Sequence, residues 1–327
     1  MENSDLQKKF LAANKKIKSA KNILIATHVR PDGDCLSSAC ALSLYLEELG
    51  KKYQLFCADG VPEHFSFIPN VLKFTQKKNF DFQSFDLIII ADCGCMDRTG
   101  LADEIVQKKS HQAIIEFDHH PKIENFSDLE IRLPKSSSTA EILYLFFRAN
   151  DIEISKKMSD CLLTGVVTDT GNLLFSSVNE ETIKTTSSLL LEGASMPKTI
   201  KQTSQGKGLA AMKILGIILE NIKYNSQYDI IYSALTYQEV ADLKKEFGEN
   251  SALEAASDIL NNAEGAKAAL FLREEEPGKI KGSLRSKHPD IDVSKLAAIL
   301  GGGGHPKAAA FRLDGQIEKT ANGWRII

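Results

Sequence analysis

Short apolar runs recur along the first 120 positions, and they do not alternate with polar residues. Ile23-Leu24-Ile25-Ala26, Ile88-Ile89-Ile90-Ala91 and Ile114-Ile115 form the hearts of three such runs, and residues 53–58 make a fourth. A strand with one wet face alternates, so unbroken runs suit strands covered on both faces. The pattern predicts strands at 22–27, 53–58, 86–91 and 113–117. Segments with helical spacing lie among them, at 4–19, 34–49 and 101–109. Strand–helix–strand alternation points to an α/β fold built on a doubly wound parallel sheet.

After Pro134 the pattern becomes helical, with helices expected at 138–150, 155–167 and 179–191. Ser4 with Gln7, and Ser138 with Glu141, have the spacing of a capping box. Residues 193–207 are richer in Gly, Pro, Ser and Thr and read as a link. A second, smaller α/β unit follows, with strands expected at 228–235, 266–272 and 279–284. Glu276-Pro277-Gly278 turns between the last two. A helix over 292–300 runs into Gly301-Gly302-Gly303-Gly304. The expected division is a domain over 1–192, a link over 193–207 and a second domain over 208–327.

A length of 327 residues suits two domains at roughly 150 residues each. Lys and Arg number 40 against 43 Asp and Glu, a net charge of −3. That balance disfavours a protein that coats long duplex nucleic acid with a basic face, but it leaves room for a short anionic substrate in a local pocket. No apolar run approaches the ~20 residues that span a bilayer, and residues 1–9 are too polar for a signal peptide. The six cysteines form no CxxC pair and read as small reduced hydrophobes, so a cytoplasmic setting is expected. Cys93-Gly94-Cys95 admits a redox pair as the lesser alternative.

Composition says little about chemistry; the ends of the apolar runs say more. The first run ends at His28, followed by Val29-Arg30-Pro31-Asp32-Gly33-Asp34. Another ends at Asp92, and the 113–117 strand ends at Asp118-His119-His120. Ligands of open parallel sheets bind at the carboxyl ends of strands. Asp169, in Thr168-Asp169-Thr170-Gly171, is a further candidate. Singly, each residue has a plain explanation as a cap, a turn former or a surface histidine. Together, Asp32, Asp34, Asp92 and Asp169 would repel one another without counter-charge. Two divalent cations would balance them, and the added imidazoles of His28 and His119 suit Mn²⁺ or a similar first-row ion. Two such ions about 4 Å apart are a standard apparatus for phosphoester hydrolysis.

A second constellation is Gly301-Gly302-Gly303-Gly304-His305-Pro306-Lys307. Its glycines would let backbone amides approach an anion, with His305 and Lys307 adding polar contacts. A helix C-cap is the plain alternative. Upstream, Gly282-Ser283-Leu284-Arg285-Ser286 ends a strand on an arginine suited to phosphate.

These residues, in this order, resemble the DHH/DHHA1 phosphoesterases, and within them the small bacterial nanoRNase and pAp-phosphatase (NrnA-type) group. The match runs over nearly the whole chain. His28 to Asp34 resembles the HxxPDxD motif, Asp92 with Arg98 the second motif, and Asp118-His119-His120 the signature that names the family. Asp169 falls in the VxxDTG-like segment, while Ser283 to Ser286 and Gly301 to His305 resemble the DHHA1 substrate motifs. The resemblance implies a DHH domain and a DHHA1 domain with the active site in the cleft between them. It implies one ion on His28, Asp32 and Asp92, and another on Asp34, Asp92, His119 and Asp169. His120 would contact the scissile phosphate, Asp118 would orient the histidines, and Arg98 would touch phosphate. Ser283, Arg285, Gly302, Gly303, Gly304 and His305 would bind substrate.

The implied activity is Mn²⁺-dependent hydrolysis of short oligoribonucleotides and linear dinucleotides to mononucleotides, with removal of the 3′-phosphate of pAp (3′-phosphoadenosine 5′-phosphate) beside it. A soluble cyclic-dinucleotide phosphodiesterase is the same-class alternative, and a non-catalytic nucleotide-binding protein the different-class one. A homodimer is compatible with the family. Two departures stand out: Ser37 replaces the usual glycine after Asp34, and Asn172-Leu173-Leu174-Phe175 departs from the commoner pattern after Gly171.

Overall fold

The computed structural model describes residues 3–76, 78, 80–204, 209–247, 265–320 and 323–327. The chain divides into two compact units, Met1–Ser204 and Gln205–Ile327.

The first unit is built on a parallel sheet of six strands: β1 (Asn22–Ala26), β2 (Lys52–Phe56), β3 (Phe74–Thr75), β4 (Leu87–Ala91), β5 (Ala113–Asp118) and β6 (Leu129–Arg132). Their order across the sheet is β3-β2-β1-β4-β5-β6. Every pairing is parallel. Successive residues of a strand face opposite sides, and here both sides are dry. Ile23, Ile25, Ile89, Ile115 and Phe117 join one buried cluster, while Leu24, Ala26, Ile88, Ile90 and Ile114 join another. This explains the absence of polar alternation. Strand order reverses between β1 and β4, which is where ligands of such sheets settle.

Helices α1 (Asn3–Ser19), α2 (Gly33–Glu48), α4 (Thr139–Ala149) and α5 (Lys156–Asp169) contribute to the larger cluster. Several expectations need correction. Helix α3 is short, Ala102–Val106. Helix α5 runs two residues further than its apolar pattern suggests and ends on Asp169. Strand β6 has no apolar run to mark it, because Leu129-Glu130-Ile131-Arg132 alternates apolar and charged residues. Most of the expected link is instead a helix, Met196–Ser204, in which Met196 and Ile200 pack on the core and Thr199 is buried. Its amphipathic face outweighs a proline that sits harmlessly in the first turn. Residues 205–207 of that link lie outside the described residues.

The second unit carries a mixed sheet ordered β11-β12-β10-β9-β8-β7. The strands are β7 (Lys223–Asn225), β8 (Ile230–Leu235), β9 (Ala268–Glu276), β10 (Lys279–Arg285), β11 (Gly303–His305) and β12 (Ala308–Asp314). Among the described residues of this sheet, only β8 and β9 pair in parallel; the other pairs are antiparallel. Val293–Ile299 is helical and is capped by Asp292, whose carboxylate accepts from the Ser294 amide. A short hairpin, β13 (Ile317–Thr320) with β14 (Gly323–Ile326), closes the chain.

Candidate metal centre

Six of the candidate residues come from the ends of five elements in the first unit. His28 follows β1, Asp92 follows β4 and His119 follows β5. Asp32 caps α2, Asp34 lies in its first turn, and Asp169 closes α5. The fold brings them together. His28 Nε2 lies 3.5 Å from Asp32 Oδ2 and 3.8 Å from Asp92 Oδ2. His119 Nε2 lies 3.5 Å from Asp92 Oδ1 and 3.4 Å from Asp169 Oδ2. Ligating atoms of Asp34, Asp92 and His119 fall within 4.8 Å of one another. Asp92 thus faces both histidines. Its backbone is left-handed, φ +62°, which aspartate tolerates better than most residues.

The proton positions follow from the partners. His28 Nδ1 is 2.8 Å from the Val29 carbonyl, and His119 Nδ1 is 3.4 Å from the Ser136 carbonyl. A carbonyl only accepts, so in the neutral rings the Nδ1 atoms carry the protons and the Nε2 lone pairs face carboxylates. His28 Nε2 is buried and has no hydrogen-bond partner. The carboxylates are strained as well. Burial drives Asp92 well above the usual carboxylate range, with repulsion from Asp34 and Asp32 adding to it. Burial pushes Asp34 up to about 6, against the pull of His119. Asp169 is pushed up to about 8 by burial, again against His119. It also sits at the negative end of a helix, where a second negative charge is unfavourable. Lone pairs aimed at crowded, buried carboxylates are what a set of oxygen and nitrogen ligands for divalent cations requires, and these residues fit such ions.

Asp118 is a carboxylate of the opposite kind. Burial would raise it, but the hydrogen bond and charge of His120, aided by Arg132, bring it down to about 2. Its Oδ1 accepts from His120 Nδ1 at 2.9 Å and from the His120 amide at 2.7 Å, and its Oδ2 accepts from the Gly94 amide at 2.5 Å. Those bonds fix the imidazole of His120. Burial, against the pull of Asp118, holds its pKa below the ordinary histidine value. A Cβ on Gly94 would stand 3.3 Å from Arg98 Nη1 and 3.6 Å from His120 Cγ, so Arg98 and His120 flank the same turn.

Three contributors were not legible in the sequence. Arg132, on β6, is buried; it pairs with Glu116, Asp118 and Glu130 and donates to the His120 carbonyl at 2.8 Å. Thr139 Oγ1 donates to Asp92 Oδ1 at 2.8 Å. The amides of Thr139 and Ala140 donate to Asp34 Oδ2 and Oδ1 at 2.7 and 3.0 Å, which places that carboxylate at the positive end of α4. The Ser138–Glu141 spacing does mark this helix start, and the Glu141 amide donates to Ser138 Oγ at 3.1 Å. The Glu141 carboxylate, however, bonds Ser137 instead of closing the box. Gly165 of α5 completes the wall: a Cβ there would stand 2.6 Å from both Asp34 Oδ1 and Ala140 Cβ. Ser37 lies within α2, fully buried, and its hydroxyl has no partner. All six cysteines are free thiols, which leaves the Cys93–Cys95 redox pair without a bridge.

In the second unit, Ser283 and Arg285 lie on β10, Ser283 buried and Arg285 half-buried. The glycine run is divided between two tasks. Gly301, with φ +75°, and Gly302 give their amides to the Ala298 and Ala297 carbonyls and so close the helix. Gly303, Gly304 and His305 form β11 against β12. A nest of four open amides is therefore absent, and the C-cap reading holds for the first half. The Lys307 ammonium is bound to the carbonyls of His288, Pro289 and Ile291.

Residues 22–166 match the DHH family, N-terminal domain, and residues 227–322 match the DHHA1 domain. The chain is 27% identical over 292 residues to the bifunctional oligoribonuclease and PAP phosphatase NrnA of Bacillus subtilis, covering 88% of each protein. It is 25% identical to the protein of the same name from Thermus thermophilus, over 90% of this chain and 84% of that one. Among solved structures, an exopolyphosphatase-related protein from Bacteroides fragilis superposes with a TM-score of 0.84 at 26% identity, over 93% of this chain and 91% of that one.

Proposed function

Since this chain belongs to the DHH/DHHA1 phosphoesterases, we propose that it hydrolyses short oligoribonucleotides to mononucleotides and pAp to AMP, using two divalent cations. The carrying observation is the convergence of buried His28, Asp34, Asp92 and His119 with the partly exposed Asp169, acids and imidazoles with no fixed cation among them. The relatives named oligoribonuclease and PAP phosphatase support the choice of substrate. On this reading His28, Asp32 and Asp92 hold one ion, and Asp34, Asp92, His119 and Asp169 the other, with Mn²⁺ the first candidate. Bound ions supply an activated water and neutralise charge on phosphoryl oxygens.

The chain's own groups do the rest. Asp118 holds the His120 ring at its Nδ1, so that the imidazole meets the phosphate in one orientation. Arg98, across the same turn, adds a cationic partner for a phosphate oxygen. Ser283, Arg285, Gly303, Gly304 and His305 are assigned to substrate binding in the second unit. The Gly302 amide already serves the helix, so Gly302 contributes by permitting a close approach: a Cβ there would stand 2.1 Å from the Ala310 carbonyl oxygen. Among the described residues no helix is long and apolar enough to cross a membrane.

The test is AMP release from 5′-phosphorylated diadenylate and from pAp, followed by chromatography with Mn²⁺, with EDTA, and with EDTA followed by excess Mn²⁺. Release that EDTA abolishes and Mn²⁺ restores is expected. Turnover of cyclic di-AMP alone would replace the proposal with a cyclic-dinucleotide phosphodiesterase. Tight nucleotide binding without turnover of any of these would make the chain a binding protein.

A further inference from the structure

The candidate metal centre contains a donor that neither the motif nor the relatives assign. Cys35 follows Asp34 in the first turn of α2 and is fully buried. One ligating atom each of His28, Asp32 and Cys35 fall within 4.8 Å of one another. The Cys35 amide donates to Asp32 Oδ1 at 3.0 Å, which fixes thiol and carboxylate on the same turn. The thiol's own hydrogen-bond contact is weak, 3.5 Å to the Asp32 carbonyl. A second observation is independent of the thiol: His28 is 2% exposed, and its Nε2 makes no hydrogen bond. A buried nitrogen lone pair beside a carboxylate and a thiol asks for a cation. Cys57 is differently placed, its Sγ lying 3.4 Å from the His28 carbonyl oxygen and 3.8 Å from that of Gly60.

We propose that Cys35 is a sulfur donor to the ion held by His28 and Asp32, so that this position accepts a borderline cation of the Zn²⁺, Co²⁺ or Fe²⁺ class as well as Mn²⁺. The proposal deepens the metal-centre reading above and rests on it. Donors about 2.0–2.3 Å from a tetrahedral ion stand roughly 3.3–3.8 Å apart, so a set spread over no more than 4.8 Å closes by small side-chain rotations. Imidazole, carboxylate and thiolate together are a zinc-type set, whereas Mn²⁺ prefers oxygen. The thiol proton passes to solvent as the sulfur–metal bond forms. The neighbouring triplet of Asp34, Asp92 and His119 has no sulfur. The two positions then differ in kind: one is soft-tolerant and the other hard.

The test titrates Co²⁺ into the metal-free full chain and records the spectrum. Expected are visible d–d bands together with a near-ultraviolet sulfur-to-cobalt charge-transfer band. Cys35→Ser should lose the near-ultraviolet band and keep the visible ones, while Cys57→Ser keeps both. In competition, the preference for Zn²⁺ over Mn²⁺ should fall by about tenfold or more in Cys35→Ser. Cys35→Ala supplies the same reading if the serine variant folds poorly. Visible bands without a charge-transfer band in the unaltered chain, or a band that survives both Cys35 variants, would overturn the sulfur donor and leave the metal centre standing. No Co²⁺ binding at all would overturn the metal centre, and the sulfur donor with it.

Discussion

Two groups of acidic residues stand side by side at the strand ends of the first unit, and they are treated in opposite ways. Asp118 and Glu116 share the buried guanidinium of Arg132, and the Asp118 carboxyl is held down to about 2 in spite of its burial. Asp34, Asp92 and Asp169 are faced by imidazoles, amides, hydroxyls and one another, and their carboxyls rise. Burial is the largest single influence on Asp118 as it is on these three, and so does not separate the groups. The difference is a fixed cation. Where the chain supplies its own, the acid is a structural strut; where it withholds one, the proposed function gives the acid an ion from solution.

The most drastic way to probe this contrast is Asp92→Asn. It removes the carboxylate that faces both histidines, and we expect AMP release to fall by roughly a thousandfold or more, since ion binding is worth several kcal/mol to the reaction. Circular dichroism should show an intact fold, and metal-free stability should not fall, because a repelling charge has gone. Near-normal turnover would mean that the two acid groups do not differ in role. Next comes Arg132→Met, which strands Glu116 and Asp118. Removing one partner of a buried ion pair typically costs about 3–5 kcal/mol, to be read by urea denaturation. A loss no larger than that of an exposed pair would dissolve the distinction from the other side.

Acidity gives a third probe. The carboxyls of Asp34 and Asp169 bind protons more tightly in the folded chain, at about 6 and about 8, than an ordinary carboxyl at 3.8. Between those values the native state holds protons that the unfolded state has lost, so metal-free stability should fall as pH rises from about 4 toward 8. Asp118 has the reverse sign: its contribution is present above 3.8 and is lost as pH falls toward 2. Thermal melting in EDTA across pH 4 to 8 should therefore slope downward, and saturating Mn²⁺ should flatten or invert the slope. An EDTA slope of the other sign would refute the charge reading. The smallest effect is expected at Ser37, whose buried hydroxyl is unpaired. Ser37→Ala should stabilise the chain by about 1 kcal/mol in the same assay.

The acid group awaiting ions was easier to read from the sequence than the strut. Asp92 and His28 interrupt or follow unbroken apolar runs, so their positions at strand ends can be read from the pattern alone. Arg132 sits on an alternating edge strand that resembles surface, and its value comes from Glu116 and Asp118 on the neighbouring strand. The Thr139 amide reaches Asp34 across 105 residues, a pairing no local spacing records. The glycine run shows the converse hazard. Four small residues suggested open amides, yet helix closure had prior claim on two of them. Residue type and period reveal which groups gather; they do not reveal which groups have already been spoken for.

Gly165 carries one more consequence. The hydrogen it bears in place of a side chain leaves room for Asp34 Oδ1 on one side and Ala140 on the other. Helix packing and the seat of a proposed metal-binding carboxylate therefore share a single atom's width. A library randomised at residue 165 should return glycine whether it is screened for catalysis or only for soluble expression, and no second-site search is expected to uncouple the two traits.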